Sequence, residues 1–341
     1  MEIKSVIPIL NKFSGCDYHR IFLPYSYLGV DFPSLNGKKF EELVADTKVL
    51  VFNRTPKQSL LPFLHYKKIY GYKILVDLDD YWELYPNHEL GKVWKEQKMA
   101  EQILFALKNA DAVTVTTSLL ADKVLQYNKN VHVIPNGLPF GDGQFNEDKN
   151  KSEKLRFMYA GGSSHLHDLK ELSIPFQKVN NNPTFKDCVF TLAGIPEKPD
   201  NNWIRIENTF SLNKKLKNYT KIYAKHLEDY MDVYRDGDVC LIPLEANSFN
   251  ARKSNLKIIE AGCKYNAVIC SEVSPYSDEP NKDSIMYAQN ARDWYDAIKY
   301  CKDNPWMAKE KGQQLGEYVR EKYDLRKINE HRLQLLEHLA Q

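Results

Sequence analysis

The sequence predicts an α/β protein built as two tandem open domains, each a doubly wound parallel sheet, with a ligand cleft between them. Three observations predict it. Short apolar runs alternate with helical patterns along the chain, which is the pattern of β-α units in parallel sheets. The scheme runs twice, on either side of FGDGQFNEDKNKSEK (140–154), a stretch with two glycines, many charges and little apolar content. A length of 341 residues is enough for two domains of ordinary size, each with its own core.

In the first half the expected strands are 5–10, 48–52, 73–76, 112–116 and 131–134, each a compact apolar run bounded by polar or turn residues. In the second half they are 155–160, 188–193, 203–207, 239–243 and 267–270. The tail from Trp306 reads as helical, and RKINEHRLQLLEHL (326–339) sets Ile328, Leu333, Leu335, Leu336 and Leu339 near one face, so it should dock. The expected domains are therefore 1–145 and 146–305, with C-terminal helices in 306–341 packing back across them. A cleft between two such domains is the default place for a ligand.

Composition narrows the class. Apolar content of 43% and charged content of 27% are those of a globular protein, and a net charge of +2 does not by itself call for a nucleic-acid or membrane partner. MEIKSVIPIL reads as a first strand rather than a signal peptide, and no stretch approaches the roughly 20 apolar residues of a membrane span. The six cysteines are widely spaced, without a C-x-x-C pair, and read as reduced core residues of a cytoplasmic protein. Oligomeric state is not legible.

The strongest motif lies in VCLIPLEANSFNARKSNLKIIEAGCKYNAVICSEVSPYSD (239–278). An apolar strand ends at Pro243, a polar loop follows, and a helix starts near Ser254, with Ser254 or Asn255 as its cap. A helix N-terminus flanked by Arg252, Lys253 and Lys257 suits a pyrophosphate, through unpaired N–H donors, the helix dipole and adjacent cations. Glu260, about a turn and a half further on, is placed to accept from ribose hydroxyls. The plain structural alternative is a capped helix with solvated basic residues.

The pattern FNxxKSxLKxxE followed by a small-residue turn and an apolar strand resembles the donor-binding segment of GT-B glycosyltransferases, in particular the large retaining family four. The resemblance implies two Rossmann-like domains. It also implies transfer of a hexosyl or other glycosyl group, with retention, from a UDP- or GDP-sugar co-substrate, and no bound cofactor or metal. It gives Lys253, Ser254, Asn255, Leu256 and Lys257 to the diphosphate and Glu260 to the ribose. Arg252 stands where the family often carries a first glutamate. FMYAGGSSHLHDLK (157–170) matches the family's strand, glycine turn and helix beside the donor phosphates, so Gly161, Gly162, Ser163 and His165 join the donor site, with Ser163 as a helix cap. VHVIPNGLP (131–139) resembles the family's exit from the first domain. The pair of imidazoles in HLHD (165–168) has no evident third ligand, so a phosphate-side histidine is preferred to a metal site.

In the first half, SGCDYHR (14–20) follows the first strand and offers Gly15, Tyr18 and Arg20 to the cleft, while VFNRT (51–55) offers Asn53 and Arg54. ILVDLDDYW (74–82) places three carboxylates at a strand end. By resemblance, Asp79 falls at the position of a family histidine near the reacting sugar and Asp80 at that of its neighbouring aspartate, and a DxDD strand end resembles a subset of these proteins. Asp79 then serves as acceptor base or stabilises charge at the anomeric carbon, its pKa raised by its neighbours.

Rival classes fit the same residues less well. DLDD also resembles the nucleophile motif D-x-D-x-T/V of haloacid-dehalogenase phosphatases, in which the first aspartate attacks phosphorus, but Tyr81 occupies the Thr/Val position. No G-x-G-x-x-G follows a strand, which disfavours a dinucleotide-dependent oxidoreductase. A non-catalytic nucleotide-sugar or glycan binder on the same fold is the main alternative. For the acceptor, a surface glycan or lipid-linked acceptor leads. HYKKIYGYK (65–73) and KKLKNYTKIYAK (214–225) interleave cations with aromatics and keep a modified DNA base in view, against solvated helix faces with tyrosines beneath.

Overall fold

The computed structural model describes residues 5–10, 14–32, 40–55, 57–86 and 88–341. Its packing divides the chain into two compact units. The first takes Met1–Gly137, Arg252–Ser254 and Leu325–Gln341, and the second takes Leu138–Ala251 and Asn255–Asp324. The last helix thus counts with the first unit, and the helix before it with the second.

In the first unit a parallel sheet carries β1 (Val6–Ile9), β2 (Val49–Asn53), β3 (Lys73–Leu78), β4 (Ala112–Val115) and β5 (Val131–Val133), side by side in sequence order. All five residues of β2 are buried, as are all of β3 except Lys73. A parallel strand covered on both faces reads as an unbroken apolar run, which is why these strands were legible. Register pairs Asn53 with Asp77 and Asp77 with Thr114, so the ends of β2, β3 and β4 lie level. After β1 a helical stretch opens on a capping box, in which Ser14 Oγ accepts from the Asp17 N–H and Asp17 Oδ2 accepts from the Ser14 N–H. It continues through a π-helical segment, Tyr18–Phe22, into Leu23–Tyr27. The helix Leu325–Ala340 docks there as its apolar face required, with Asn329 Nδ2 donating to the Pro24 carbonyl at 2.8 Å.

In the second unit the strands are β6 (Leu155–Ala160), β7 (Cys188–Ile195), β8 (Tyr219–Tyr223), β9 (Val239–Ile242), β10 (Ala267–Ser271) and β11 (Ile285–Ala288), again parallel. Their order, β11-β10-β9-β6-β7-β8, reverses between β6 and β9. The core is strongly aromatic, with Phe157 stacked on Phe190 at 5.3 Å and Phe176 edge-on to Phe210 at 5.1 Å. The helix Pro305–Lys322 lies against the helix Leu256–Cys263 and the segment after it through glycines. A Cβ on Gly312 would stand 2.3 Å from the Tyr265 carbonyl oxygen.

Two expectations in this unit are corrected. The expected strand at 203–207 is part of a helix, Asn201–Phe210, whose N-terminus is capped by Asp200 Oδ1 accepting from the Trp203 N–H at 2.9 Å. The brief apolar-polar alternation of Trp203–Glu207 hid the helical spacing of its buried residues Ile206, Glu207 and Phe210. The cluster at 214–225, expected as a helix face, contains the edge strand β8, where Thr220, Lys221 and Tyr223 are exposed. Among the described residues no helix is long and apolar enough to cross a membrane. All six cysteines are free, and five are buried.

Candidate functional site

In an open parallel sheet, ligands settle outside the carboxyl ends of the strands where the strand order reverses. In the second unit that place is bounded by the loops leaving β6 and β9. The first is the glycine turn. A Cβ on Gly161 would lie 2.5 Å from the Tyr159 hydroxyl, whereas one on Gly162 would meet open space. Gly161 is therefore required by Tyr159, a side chain the sequence reading did not single out. Tyr159 is wholly buried, its hydroxyl has no hydrogen-bond partner, and Lys257 Nζ stands 5.2 Å from its ring centroid.

Ser163 does not cap the following helix. It lies in a turn, and His165 occupies the residue before Leu166–Leu169, also without a side-chain cap. His165 Nδ1 lies 2.7 Å from Asp168 Oδ2. Asp168 Oδ1 accepts from the Glu245 N–H at 2.8 Å and from Asn250 Nδ2 at 2.9 Å, so this carboxylate ties the β6 loop to the β9 loop. Burial opposes its ionisation, but the bond from His165, the Glu245 N–H and the Lys257 charge together hold its pKa below the usual value. The HLHD motif is thus an internal latch. Among the described residues no group of three or more His, Cys, Asp or Glu could hold a metal ion.

The helix Leu256–Cys263 starts where expected, yet neither proposed cap is used. Ser254 Oγ accepts from Asn136 Nδ2 at 2.9 Å, and Asn255 Nδ2 donates to Glu279 Oε1. The N-terminus therefore has no side-chain cap, which leaves it suited to an external anion. Leu256 and Lys257 form its first positions and are half-buried. Glu260 is more enclosed than a surface ribose contact requires: it is 7% exposed and Oε2 accepts from the Tyr234 hydroxyl at 2.8 Å. Burial raises its pKa, offset in part by hydrogen bonds from Tyr234 and Tyr230 and by Lys257.

In the first unit the three aspartates of ILVDLDDYW have separate environments. Asp77 is 3% exposed and meets Arg20 twice, at 2.8 Å from Nε and 2.8 Å from Nη2, while Thr114 Oγ1 donates to it at 2.6 Å. Arg20, expected to face an external anion, instead lies 1% exposed against this internal one, and Asn136 Oδ1 takes its remaining arm at 3.0 Å. An aspartate filled in this way is not placed to attack phosphorus, which removes the structural basis of the phosphatase reading. Tyr18 likewise packs inward, 4% exposed and stacked on Phe22 at 5.8 Å. Gly15 begins the helix with open space where a Cβ would be, and Asn53 is 2% exposed at the end of β2.

Asp79 and Asp80 follow β3 and are half-buried, with Arg54 between them. Arg54 Nε lies 3.1 Å from Asp79 Oδ1 and Nη1 lies 3.4 Å from Asp80 Oδ2. The first contact is an ion pair rather than an aligned hydrogen bond, since no donor points along Asp79 Oδ1. Arg54 has φ of 37°, a left-handed conformation that a residue with a Cβ adopts at a cost and that gathers at functional sites. Its Nη2 also donates to Cys16 Sγ at 2.9 Å. Lys253 Nζ stands 3.6 Å from Asp80 Oδ1, and the Arg252 guanidinium stands 4.9 Å from the Tyr81 ring centroid. The pKa of Asp79 is raised as expected, with a different leading cause: burial contributes most, and Asp80 adds to it against the pull of Arg54. Arg54 and Cys16 thus belong to the carboxylate cluster, Arg54 in a role that its place just after a strand end does not signal.

No protein-family model matches the chain, and no curated protein matches it. Solved structures do resemble it. Anabaena HepE in complex with UDP and glucose superimposes with a TM-score of 0.68 at 9% identity, covering 98% of this chain and 99% of that one. A sucrose-phosphate synthase from Thermosynechococcus elongatus gives 0.66 at 18% identity over 86% of this chain and 74% of that one. TarM from S. aureus gives 0.60 at 16% identity over 86% of this chain, which spans 55% of TarM. At such identities the likeness speaks for the fold: two parallel α/β sheets of the GT-B glycosyltransferase type.

Proposed function

We propose that this protein is a glycosyltransferase that moves a sugar from a nucleoside-diphosphate sugar to an acceptor hydroxyl. The observation that carries the reading is the uncapped N-terminus of Leu256–Cys263, which follows β9 at the reversal of the second sheet, with the Gly161–Gly162 turn leaving the neighbouring strand β6. Backbone N–H groups there, with Lys257, suit a diphosphate, and His165 is held by Asp168 in the loop that leaves β6. Glu260, held by hydrogen bonds from Tyr234 and Tyr230, is the carboxylate assigned to a ribose hydroxyl. The HepE structures, in complex with UDP and glucose or with UDP-glucose, favour a UDP-sugar over a GDP-sugar as the first donor to try.

In this reading the carboxylates of the first unit serve the acceptor. Asp79, its pKa raised by burial, takes the acceptor proton as the new glycosidic bond forms and the nucleoside diphosphate leaves, while Arg54 holds Asp79 and Asp80 in place. Retention at the anomeric carbon and a hexosyl donor are the finer claims the family resemblance implies, and the acceptor is a glycan or lipid-linked glycan.

The test is nucleoside-diphosphate release from UDP- and GDP-sugars, with and without glycan acceptors, followed by NMR of the product anomer. Turnover of one donor class, falling about 100- to 10,000-fold in Asp79→Asn with donor affinity kept, supports the assignment. Full turnover in that variant removes Asp79 from the chemistry. Donor binding with no turnover in the wild type replaces the enzyme with a nucleotide-sugar binding protein.

A further inference from the structure

A cavity of about 750 Å³ opens in the second unit at the end of the sheet opposite the donor loops. Leu155, the first residue of β6, and Asp238, the residue before β9, line it, whereas the donor loops leave the other ends of those strands, at Ala160 and Ile242. The length of β6, six residues, sets the two places about 17 Å apart, so a ligand in the cavity does not meet the donor phosphates. The lining is cationic, and its charges are unequally matched. Asp238 is taken up by Arg156, whose Nε donates to Oδ2 at 2.9 Å, Nη2 to Oδ1 at 2.8 Å and backbone N–H to Oδ2 at 3.0 Å. Glu147 accepts from the Tyr265 hydroxyl at 3.0 Å and lies 3.3 Å from Arg320 Nε. Three ammonium groups remain. Lys149 is half-buried, and its Nζ stands 3.7 Å from Asp238 Oδ1, an oxygen that Arg156 already holds. Burial lowers its pKa by more than Asp238 raises it, which is the condition of a cation short of counter-charge. Lys151 and Lys309 are exposed on the rim and form no ion pair among the described residues. The helix Pro305–Lys322 adds the positive end of its dipole through Pro305 and Ala308. Its cap residue Asn304 does not cover that end, since the Asn304 side chain turns back and Nδ2 donates to the Tyr300 carbonyl at 3.1 Å.

We propose that this cavity binds a phosphorylated small molecule of the sugar-phosphate class, at a site separate from that of the donor. A phosphate dianion supplies the charge that Lys149, Lys151 and Lys309 lack, and its several acceptor oxygens answer more than one ammonium group at once. The volume is that of a pocket for a small organic ligand and exceeds what a bare phosphate fills. Tyr265, Leu155, Pro305 and Ala308 give the rest of the wall the apolar character that suits the C–H face of a sugar ring. An anionic lipid headgroup offers the same phosphate, and the test separates the two sources. The inference stands on the cavity and does not depend on the glycosyltransferase reading.

The test uses the full chain with glucose 6-phosphate, glucose 1-phosphate and fructose 1,6-bisphosphate as probes, glucose and inorganic phosphate as controls, and phosphatidylglycerol vesicles as the lipid arm. Titration calorimetry is read on the wild type, Lys149→Gln and Lys309→Glu, with thermal stabilisation by UDP measured in parallel. The expected result is saturable binding of at least one sugar phosphate, weaker for inorganic phosphate, absent for glucose, and falling as salt rises. Both variants should weaken it tenfold or more while the response to UDP is unchanged. Lys309 is an exposed helix residue, so its variant keeps the test open if Lys149→Gln does not fold. Binding of no sugar phosphate, or binding that the variants leave intact, overturns the proposal. So does vesicle binding that the variants abolish in a protein that takes no soluble phosphate. Sugar-phosphate binding of the expected kind in a protein that no nucleotide stabilises would instead overturn the glycosyltransferase reading and leave this site standing.

Discussion

Arg20 and Asp77 form the most enclosed ion pair in the described first unit, two oppositely charged groups with parallel contacts at 2.8 Å. Breaking such a pair from one side leaves a buried charge uncompensated, so Arg20→Ala should cost about 3–5 kcal/mol in chemical denaturation. A loss below about 1 kcal/mol would mean that water or Thr114 replaces the guanidinium. Asp168 makes a prediction that depends on pH. Its folded pKa lies below the unfolded value of 3.8, so its stabilisation is complete above that value and is lost as pH falls through the lower folded one. Asp168→Asn should therefore be less stable than the wild type by about 1–3 kcal/mol at pH 7, with the gap closing in melts toward pH 3. An unchanged gap at acid pH would show that shape rather than charge matters there. Asp79 has the opposite sign. Its raised pKa means that, on falling pH, activity should be lost at a higher pH than a free aspartate would dictate. A pH-rate profile flat to pH 4 would contradict that.

At the scale of elements, the close seating of Pro305–Lys322 depends on having no side chain at Gly312, where a Cβ would press on backbone at 2.3 Å. Gly312→Ala should cost about 1–3 kcal/mol despite alanine's better helix propensity, and a gain in melting temperature would contradict this packing. Elements were legible in the sequence where burial is two-sided. β2, β3, β9 and β10 carry the apolar runs 49–52, 74–76, 239–242 and 267–270 because those residues are all buried. β8 was missed because an edge strand with exposed Thr220, Lys221 and Tyr223 has neither that run nor a clean alternation. At the site, the position of the helix Leu256–Cys263 and of the glycine turn could be read from turn residues and caps. The partners of Ser254, Asn255 and Arg20 could not, because Asn136, Glu279 and Asp77 lie 118, 24 and 57 residues away from them in the chain. Local sequence shows that a side chain is able to cap or pair; only the fold decides what it meets.

For the whole molecule, the two units carry different parts of the proposed chemistry, anion-binding loops in the second and a carboxylate cluster in the first. The claim on which the rest depends is that the second unit binds a nucleoside diphosphate. The direct measurement is thermal stability of the full chain titrated with UDP, GDP, ADP and their sugar conjugates, repeated on Glu260→Gln, which keeps an acceptor for Tyr234. A ligand that binds only the folded state stabilises it by about 2.7 kcal/mol at a hundredfold excess over its dissociation constant. Stabilisation by nucleotides of one base is expected, uridine first, with the variant responding at least tenfold more weakly. No shift with any nucleotide, or equal shifts in wild type and variant, would contradict it.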